Sequence, residues 1–428
     1  MTIAERIRAA RTARSWSQQK LADELSTARW GKSGFCDRQQ VYRWEAGRRV
    51  PKAWLPYIEQ VLGLGSPSTT AAPPGDTVAS AIALGRDDVE RRRFLTASAA
   101  VSLAALDITD AEAVTRRVNK PGPRVGMGEV AAIRSMTTAL GDAASEIGGA
   151  HARHLAVRYF TDDVGRWLDG SYTDRVGREL YAATSELTQL IGWMARDEGN
   201  QGLAQRYHVH SYKLAAEAGE NELAATALRG LADQAIDLGH IPAAVRLAEA
   251  CEQQGRKLTN PKALAYYRNT YARAAAVDGD RATASRMLTA AQTAIEQAPA
   301  RPGQSWASHY SHGRWAHESG MIHATMGDLA AAEEHLHLAL DIHGLDRRRT
   351  RAIVLADLGH VQLKRGNTET ALATWSEFLD CADGVHSVRI SDAISNIDAR
   401  LVNLPNTTAV QELKNRLTAR AQAAPSSA

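Results

Sequence analysis

Residues 232–248 read ADQAIDLGHIPAAVRLA. The order of residue types in this stretch decides the fold. Helix-favouring residues lead to Gly239, a polar residue follows, and Ala244 stands five places after the glycine. The same order returns as WMARDEGNQGLAQRY (193–207), ARAAAVDGDRATASRML (272–288), MIHATMGDLAAAEEHL (321–336) and HVQLKRGNTETALATW (360–375). The glycines are Gly199, Gly239, Gly279, Gly327 and Gly366, and their alanines are Ala204, Ala244, Ala284, Ala332 and Ala371. Spacings of 40, 40, 48 and 39 residues give one helix-turn-helix unit per copy, with variable loops between copies.

Working outward, the rest of the chain agrees with an all-α fold. The 428 residues suffice for two or more domains with real cores. Ala and Arg are abundant, there are only 4 Phe, and β-branched runs are few, which favours helix over strand. No apolar run approaches the ~20 residues that span a bilayer. Cys36, Cys251 and Cys381 are far apart and form no CxxC pair, which suits a reducing compartment. Charge is uneven: residues 1–65 carry 12 Lys/Arg against 6 Asp/Glu, a balance of +6, leaving −3 on the remainder of a chain whose total is +3. A basic head on a faintly acidic body points to a polyanion as the partner of the head alone.

The repeated stretches resemble tetratricopeptide arrays, lengthened beyond the usual 34 residues. By that resemblance the glycine permits the turn between helices A and B, and the alanine lets them approach closely. Gly192 and Gly320, seven residues before their turn glycines, and Ala339, twelve after Gly327, also fall on family positions. The segment SYTDRVGRELYAATSEL (171–187) is expected to lead into the array, and residues 386–420 to cap it. The resemblance implies that helix A lines a concave groove. Counting back from each glycine exposes there Gln189, Trp193 and Arg196; Arg229 and Asp233; Tyr266, Asn269 and Arg273; Arg314, His317 and Met321; and His360. Arg and Asn in that groove could hold a peptide backbone or a carboxylate.

In the head, Thr2 and Glu5 form a capping-box start for IAERIRAARTAR, with Ile3, Ile7 and Ala10 on one face. Ser17 can cap a second helix, SQQKLADEL, with Leu21, Ala22 and Leu25 inward; STARWGKSGF reads as a loop. Asp37 caps a third helix, DRQQVYRWEAG, that Gly47 ends; Pro51 stops any continuation and WLPYIEQVLGL closes the bundle. SQQKLA (17–22) followed by VYRWEAGRRVP (41–51) resembles the Xre-type (Cro/repressor-like) helix-turn-helix domains, with a loop about nine residues longer than in short members, where Arg29 and Lys32 could reach phosphate. Val41 and Trp44 share one face and should be buried. Arg38, Gln39, Tyr42 and Arg43 then face outward near the helix N-terminus, where a recognition helix meets base edges. Arg suits guanine O6/N7 and Gln suits adenine N6/N7. The resemblance gives Gln18 a phosphate contact, and Arg48, Arg49 and Lys52 read as backbone contacts that set affinity and salt dependence.

Between head and body, SPSTTAAPPGDT (66–77) is linker by composition, and residues 66–85 are assigned as flexible. RRRFLTASAAVSLAAL (91–106) looks like a twin-arginine export signal, but a signal is read at an N-terminus and a complete head precedes this one. A helix packing Phe94, Val101 and Leu106 on the body or on a second subunit is the expectation, within a connecting region of residues 86–130 that is a candidate dimer contact. Seven of the 14 histidines lie between His309 and His343 without metal-ligand spacing, so no metal or other cofactor is assigned. DRRRTR (346–351) reads as a basic interhelix loop. No phosphate loop, nucleophile elbow or paired acid appears, which argues against an enzyme.

The expected domains are therefore a helix-turn-helix head (1–65), a linker (66–85), a connecting helix and loop (86–130) and a repeat domain (131–425). Together they resemble bacterial transcriptional regulators of this layout. The resemblance implies a cytoplasmic homodimer on a palindromic double-stranded DNA operator, with no membrane partner. A peptide or small molecule in the groove would shift the spacing of the two heads. The alternative is a DNA-tethered scaffold whose groove holds a protein partner and takes no small effector.

Overall fold

The computed structural model describes residues 3–14, 16–30, 36–46, 54–62, 77–90, 123–299, 306–342, 348–385 and 387–423. The described residues are all-α; an isolated bridge between Arg124 and Ser171 is the one extended pairing among them. No described helix is long and apolar enough to cross a membrane. The chain divides into two compact units, Met1–Pro73 and Pro74–Ala428.

The first unit contains α1 (Ile3–Ala13), α2 (Gln18–Trp30), α3 (Arg38–Glu45) and α4 (Leu55–Leu62). Ile7, Leu21, Ala22, Leu25, Cys36, Val41, Trp44, Ile58 and Leu62 form its core. Each large side chain so buried contributes roughly 1.5–3 kcal/mol. Ser17 Oγ accepts the Lys20 N–H at 3.0 Å, as the cap expects. Helix α2 runs further than its sequence suggests, because Ser26 is built into it. Its hydroxyl donates back to Ala22 O (2.9 Å) and accepts the Cys36 N–H (2.8 Å), tying the far end of the loop to the helix. Burial, and after it Asp37, pushes the Cys36 thiol up to about 12, so it is inert. The expected Thr2 cap and the helix end at Gly47 and Pro51 lie outside the described residues.

The second unit begins earlier than the sequence reading placed it. Residues 77–85, assigned to the linker, belong to α5 (Thr77–Glu90), which buries Val78, Ala81, Ile82 and Leu84 against the body. Small residues made the stretch look like linker, but at Gly85 smallness serves packing: a Cβ there would stand 2.7 Å from Thr161 Cγ2. Asp88 then receives Arg153 (2.6 Å) and the Tyr207 hydroxyl (3.0 Å). The basic-apolar stretch 91–106, with Phe94, Val101 and Leu106, lies outside the described residues.

After α6 (Met127–Ile147) and α7 (Gly149–Tyr159), five helix pairs follow: α8/α9 (Asp174–Asp197, Gln201–Ala218), α10/α11 (Asn221–Asp237, Ile241–Gly255), α12/α13 (Pro261–Asp278, Arg281–Glu296), α14/α15 (His312–Met326, Leu329–Ile342) and α16/α17 (Arg348–Lys364, Thr368–Ala382). Helices α18 (Val388–Leu401) and α19 (Thr408–Ala423) close the stack. Each of the five turn glycines has φ between 74° and 88°, a left-handed conformation costing a side chain roughly 1–2 kcal/mol. The residue after each turn glycine donates back into the helix it leaves, as His240 does to Ala235 O at 2.8 Å and Asp280 to Ala275 O at 2.9 Å. The five paired alanines are completely buried.

The first helices of the pairs, with α18, touch one another in succession and form an inner layer, while the second helices of the first four pairs each pack between neighbouring first helices and α17 packs between α16 and α19. The stack curls until α16 returns to α6. At that seam Asp197 is buried and accepts Gly149 N–H (2.9 Å), Ser387 Oγ (2.9 Å) and the Arg349 guanidinium. Arg348–Arg351, expected in a loop, form the first turn of α16, and Arg349 is the arginine that bridges the seam.

Candidate functional site

In the first unit the features converge on the outer face of α3. Asp37 Oδ1 accepts the Gln40 N–H (2.7 Å) and the Gln40 side chain accepts the Asp37 N–H (3.2 Å), a reciprocal cap that fixes where the helix starts. Val41 and Trp44 are buried; Arg38, Gln39, Tyr42 and Arg43 are exposed, Tyr42 by 47%. What holds this face in place is Glu45, whose side chain is 1% exposed. It receives Arg11 of α1 through both guanidinium arms (2.6 and 3.0 Å) and the Gln18 amide of α2 (2.7 Å), so one carboxylate clamps three helices. Gln18 is thereby oriented by Glu45 before it meets any ligand. Arg48, Arg49 and Lys52, and the side chains of Arg29 and Lys32, lie outside what is described.

In the second unit the residues expected to line a groove do gather on the inner layer, in two sets. Gln189, Arg229, Asp233, Tyr266 and Asn269, expected to be exposed, have 6, 5, 3, 4 and 1% of their surface accessible. The inner helices pack on one another, and these side chains face a neighbouring helix. Gln189 Oε1 lies 2.9 Å from Nδ1 of His208, whose pKa burial and the nearby Arg196 lower to about 3, so the imidazole is neutral. Arg229 spans Asp233 (2.6 Å) and Glu318 (2.7 Å) with its guanidinium 3.9 Å from the Tyr266 ring centroid. Glu318 also takes Asn269 (3.2 Å), the Tyr310 hydroxyl (2.8 Å) and Arg314 (3.2 Å). Burial acts to raise both acids, but Arg229 with Arg273 overcomes it at Asp233, and Arg229 with Arg314 holds Glu318 near 2.

The second set is half-buried. Arg196 pairs with Asp237 (2.8 Å through Nε), and Arg273 reaches Asp233 (3.0 Å) and Asp237 (3.1 Å). His317 Nε2 lies 2.8 Å from Asp357, and Arg349 lies 5.1 Å from the Trp193 ring centroid. Met321 and His360 line a cavity of about 240 Å³ together with Asp357, Val361, Ala393 and Ile397. Burial, with Arg400 and Lys364, lowers His360 to about 4. Sequence reasoning missed Asp237, Glu318 and Asp357, although two carried a signal: Asp237 and Glu318 stand four residues after Asp233 and Arg314, one turn along the same face.

Among the described residues no three metal-type ligands stand close enough to hold an ion. The geometry defines a class: an all-α chain with a small bundle that presents a basic face and a curled stack of helix pairs whose inner layer is charged. No protein-family model matches the chain, and no curated protein matches it significantly.

Proposed function

We propose that this chain is a sequence-specific DNA-binding transcriptional regulator. Its first unit is read as an Xre-type helix-turn-helix head and its second as a tetratricopeptide-type sensor. The observation that carries the reading is the face of α3. Arg38, Gln39, Tyr42 and Arg43 project from a helix whose start is fixed by the Asp37–Gln40 cap and whose base is clamped by Glu45. Rigid placement is what base readout requires, since a bidentate contact discriminates by roughly 1–3 kcal/mol only if its angle is held. One head buries little surface, so the operator is read as a palindrome bound by a homodimer.

The curled stack favours an effector over a folded partner. Its inner layer closes at the Asp197–Arg349 seam, which suits a small molecule or a peptide end better than a protein surface. The effector acts by binding two arrangements of the body unequally. The test is fluorescence anisotropy of the full chain on DNA from upstream of its own gene. Arg38→Ala/Gln39→Ala should weaken specific binding roughly 10- to 100-fold while leaving salt-dependent nonspecific binding in place. Equal, weak binding of wild type and variant to every DNA would overturn the assignment of α3.

A further inference from the structure

We infer that the cavity between α14, α16 and α18 binds a short-chain ω-amino acid, a zwitterion whose ammonium meets Asp357 and whose carboxylate meets Lys364. The inference rests on the sensor reading above and gives its effector a chemistry. The described residues of the cavity wall all come from these three helices. Six are apolar: Met321 and Ala324 of α14, Ala356 and Val361 of α16, and Ala393 and Ile397 of α18. The polar ones are Asp357, His360 and Lys364 of α16 and Asn396 of α18.

The helical period sets out the polar groups of α16. His360 is three residues after Asp357 and four before Lys364, so the three follow one face. Asp357 and Lys364 are thereby two turns apart, about 10 Å along the axis at ~1.5 Å per residue. That is too far for a direct pair, and among the described residues Lys364 forms no ion pair. Asp357 Oδ2 lies 2.8 Å from His317 Nε2, while its Oδ1 has no described partner. Asn396 Nδ2 donates to Asp392 O at 2.9 Å, which leaves its own carbonyl oxygen as an acceptor. His360 is neutral, because burial lowers it to about 4, so it adds hydrogen-bonding capacity without charge.

The cavity has a direction. Lys364 and Asn396 are exposed and mark its mouth, Asp357 and His360 are half-buried, and Val361 and Ile397 are buried. A base at the mouth and an acid further in, with apolar wall between, suit one molecule that carries both charges. A lone carboxylate would be repelled by Asp357 and a lone amine by Lys364, whereas a zwitterion leaves no charge unmatched. The spacing sets the ligand's length. A charge-assisted hydrogen bond of ~2.8 Å at each end leaves about 5 Å between its nitrogen and its carboxylate. In an α-amino acid the nitrogen and carboxyl carbon are only about 2.5 Å apart, so several methylenes must separate the two groups. The cavity volume of about 240 Å³ equals some eight waters at ~30 Å³ each and falls below the ~300–1,000 Å³ of sites for drug-sized ligands.

The test is isothermal titration of the full chain with glycine, 4-aminobutanoate and 6-aminohexanoate, and with hexylamine and hexanoate, which keep one charge each. One of the two longer amino acids should bind one per chain, at least roughly tenfold more tightly than glycine, hexylamine or hexanoate. Lys364→Gln should weaken that amino acid at least roughly tenfold and should not weaken hexylamine; Asp357→Asn should weaken it without weakening hexanoate. Because Lys364 is exposed and unpaired among the described residues, Lys364→Gln should melt as wild type does. Ala393→Leu, which extends into the cavity, should block every ligand, and Lys257→Gln, exposed and outside the wall, should change nothing. No binding up to about 10 mM, hexylamine or hexanoate bound as tightly as the amino acids, or an unaffected Lys364→Gln would overturn the inference. Glycine binding as tightly as the longer chains would overturn the charge spacing. Anisotropy on the same preparations separates the two readings. Specific DNA binding without any ligand binding would sink the cavity site and leave the regulator standing. A chain that binds the amino acid through Lys364 but no specific DNA would do the reverse.

Discussion

Replacing Asp197 with alanine should open the seam of the second unit. The carboxylate is 2% exposed and serves three partners from different elements: Gly149 N–H, Ser387 Oγ and the Arg349 guanidinium, itself 7% exposed. Alanine leaves a buried guanidinium without its counter-charge, which costs about 3–5 kcal/mol, and this loss is large against total stabilities of about 5–15 kcal/mol. At a urea dependence of about 3 kcal/mol per molar, the unfolding midpoint should fall by roughly 1–1.7 M. Arg349→Met in the same chain removes the stranded charge and keeps much of its volume, so the double variant should recover to within about 1–2 kcal/mol of wild type. Urea unfolding followed by far-ultraviolet circular dichroism measures all three. A single-variant shift below about 0.3 M, or a double variant as unstable as the sum of the singles, would refute the account of the seam.

Glu45→Gln in the first unit should cost about 2–4 kcal/mol by weakening the hold on Arg11 and Gln18, and should lower DNA affinity even though Glu45 faces away from solvent; thermal melts and anisotropy check it. Gly279→Ala meets no atom within 4 Å, so its cost, roughly 1–2 kcal/mol, should come from the left-handed backbone alone. Gly192→Ala has ordinary helical geometry but would place its Cβ 2.8 Å from the His208 ring, so it should cost about 1–3 kcal/mol by crowding and should disturb the His208–Gln189 contact. For pH, His208, His210 and His360 are lowered to about 3, 4 and 4, mainly by burial, while burial raises Glu186 to about 7. The three histidines take protons only when unfolded as pH falls below their ordinary value near 6.5, and Glu186 does the reverse above its ordinary value near 4.5. Stability should therefore rise from pH 4.5 to 6.5, by at most ~2.7 kcal/mol per pH unit, and urea midpoints across that range that stay flat or fall would contradict it.

The turns of the stack were legible because their requirement is local: a left-handed residue and a close helix approach leave Gly and Ala at fixed offsets, and the 40-residue period repeats them. The inner layer was half legible. Counting along helix A named side chains that lie on that layer, but it could not show that five of them would be buried, or that Arg196 meets Asp237, Arg273 meets Asp233, and His317 meets Asp357. Those pairs lie 41, 40 and 40 residues apart, about one repeat length, so each joins neighbouring repeats. The pairing of Asp197 with Arg349, 152 residues apart, depends on how far the stack curls, which accumulates from every helix crossing and has no local signature. Helix α5 was misread for the opposite reason, since Ala, Ser and Gly are linker residues by composition and packing residues by geometry. In the first unit the buried face of α3 followed from helical periodicity. The Glu45 clamp did not, because it needs the tertiary approach of α1 and α2.

The seam also bears on how such a chain can change over generations. An open stack of repeats gains or loses a unit at little cost, because each unit answers only to its neighbours. Here Asp197 must meet Arg349 and Ser387 across the join. An added or deleted pair of helices would rotate one side of that join past the other. The number of repeats is therefore fixed by closure, and variation is directed to loop lengths, of which the single 48-residue spacing between Gly279 and Gly327 is an instance.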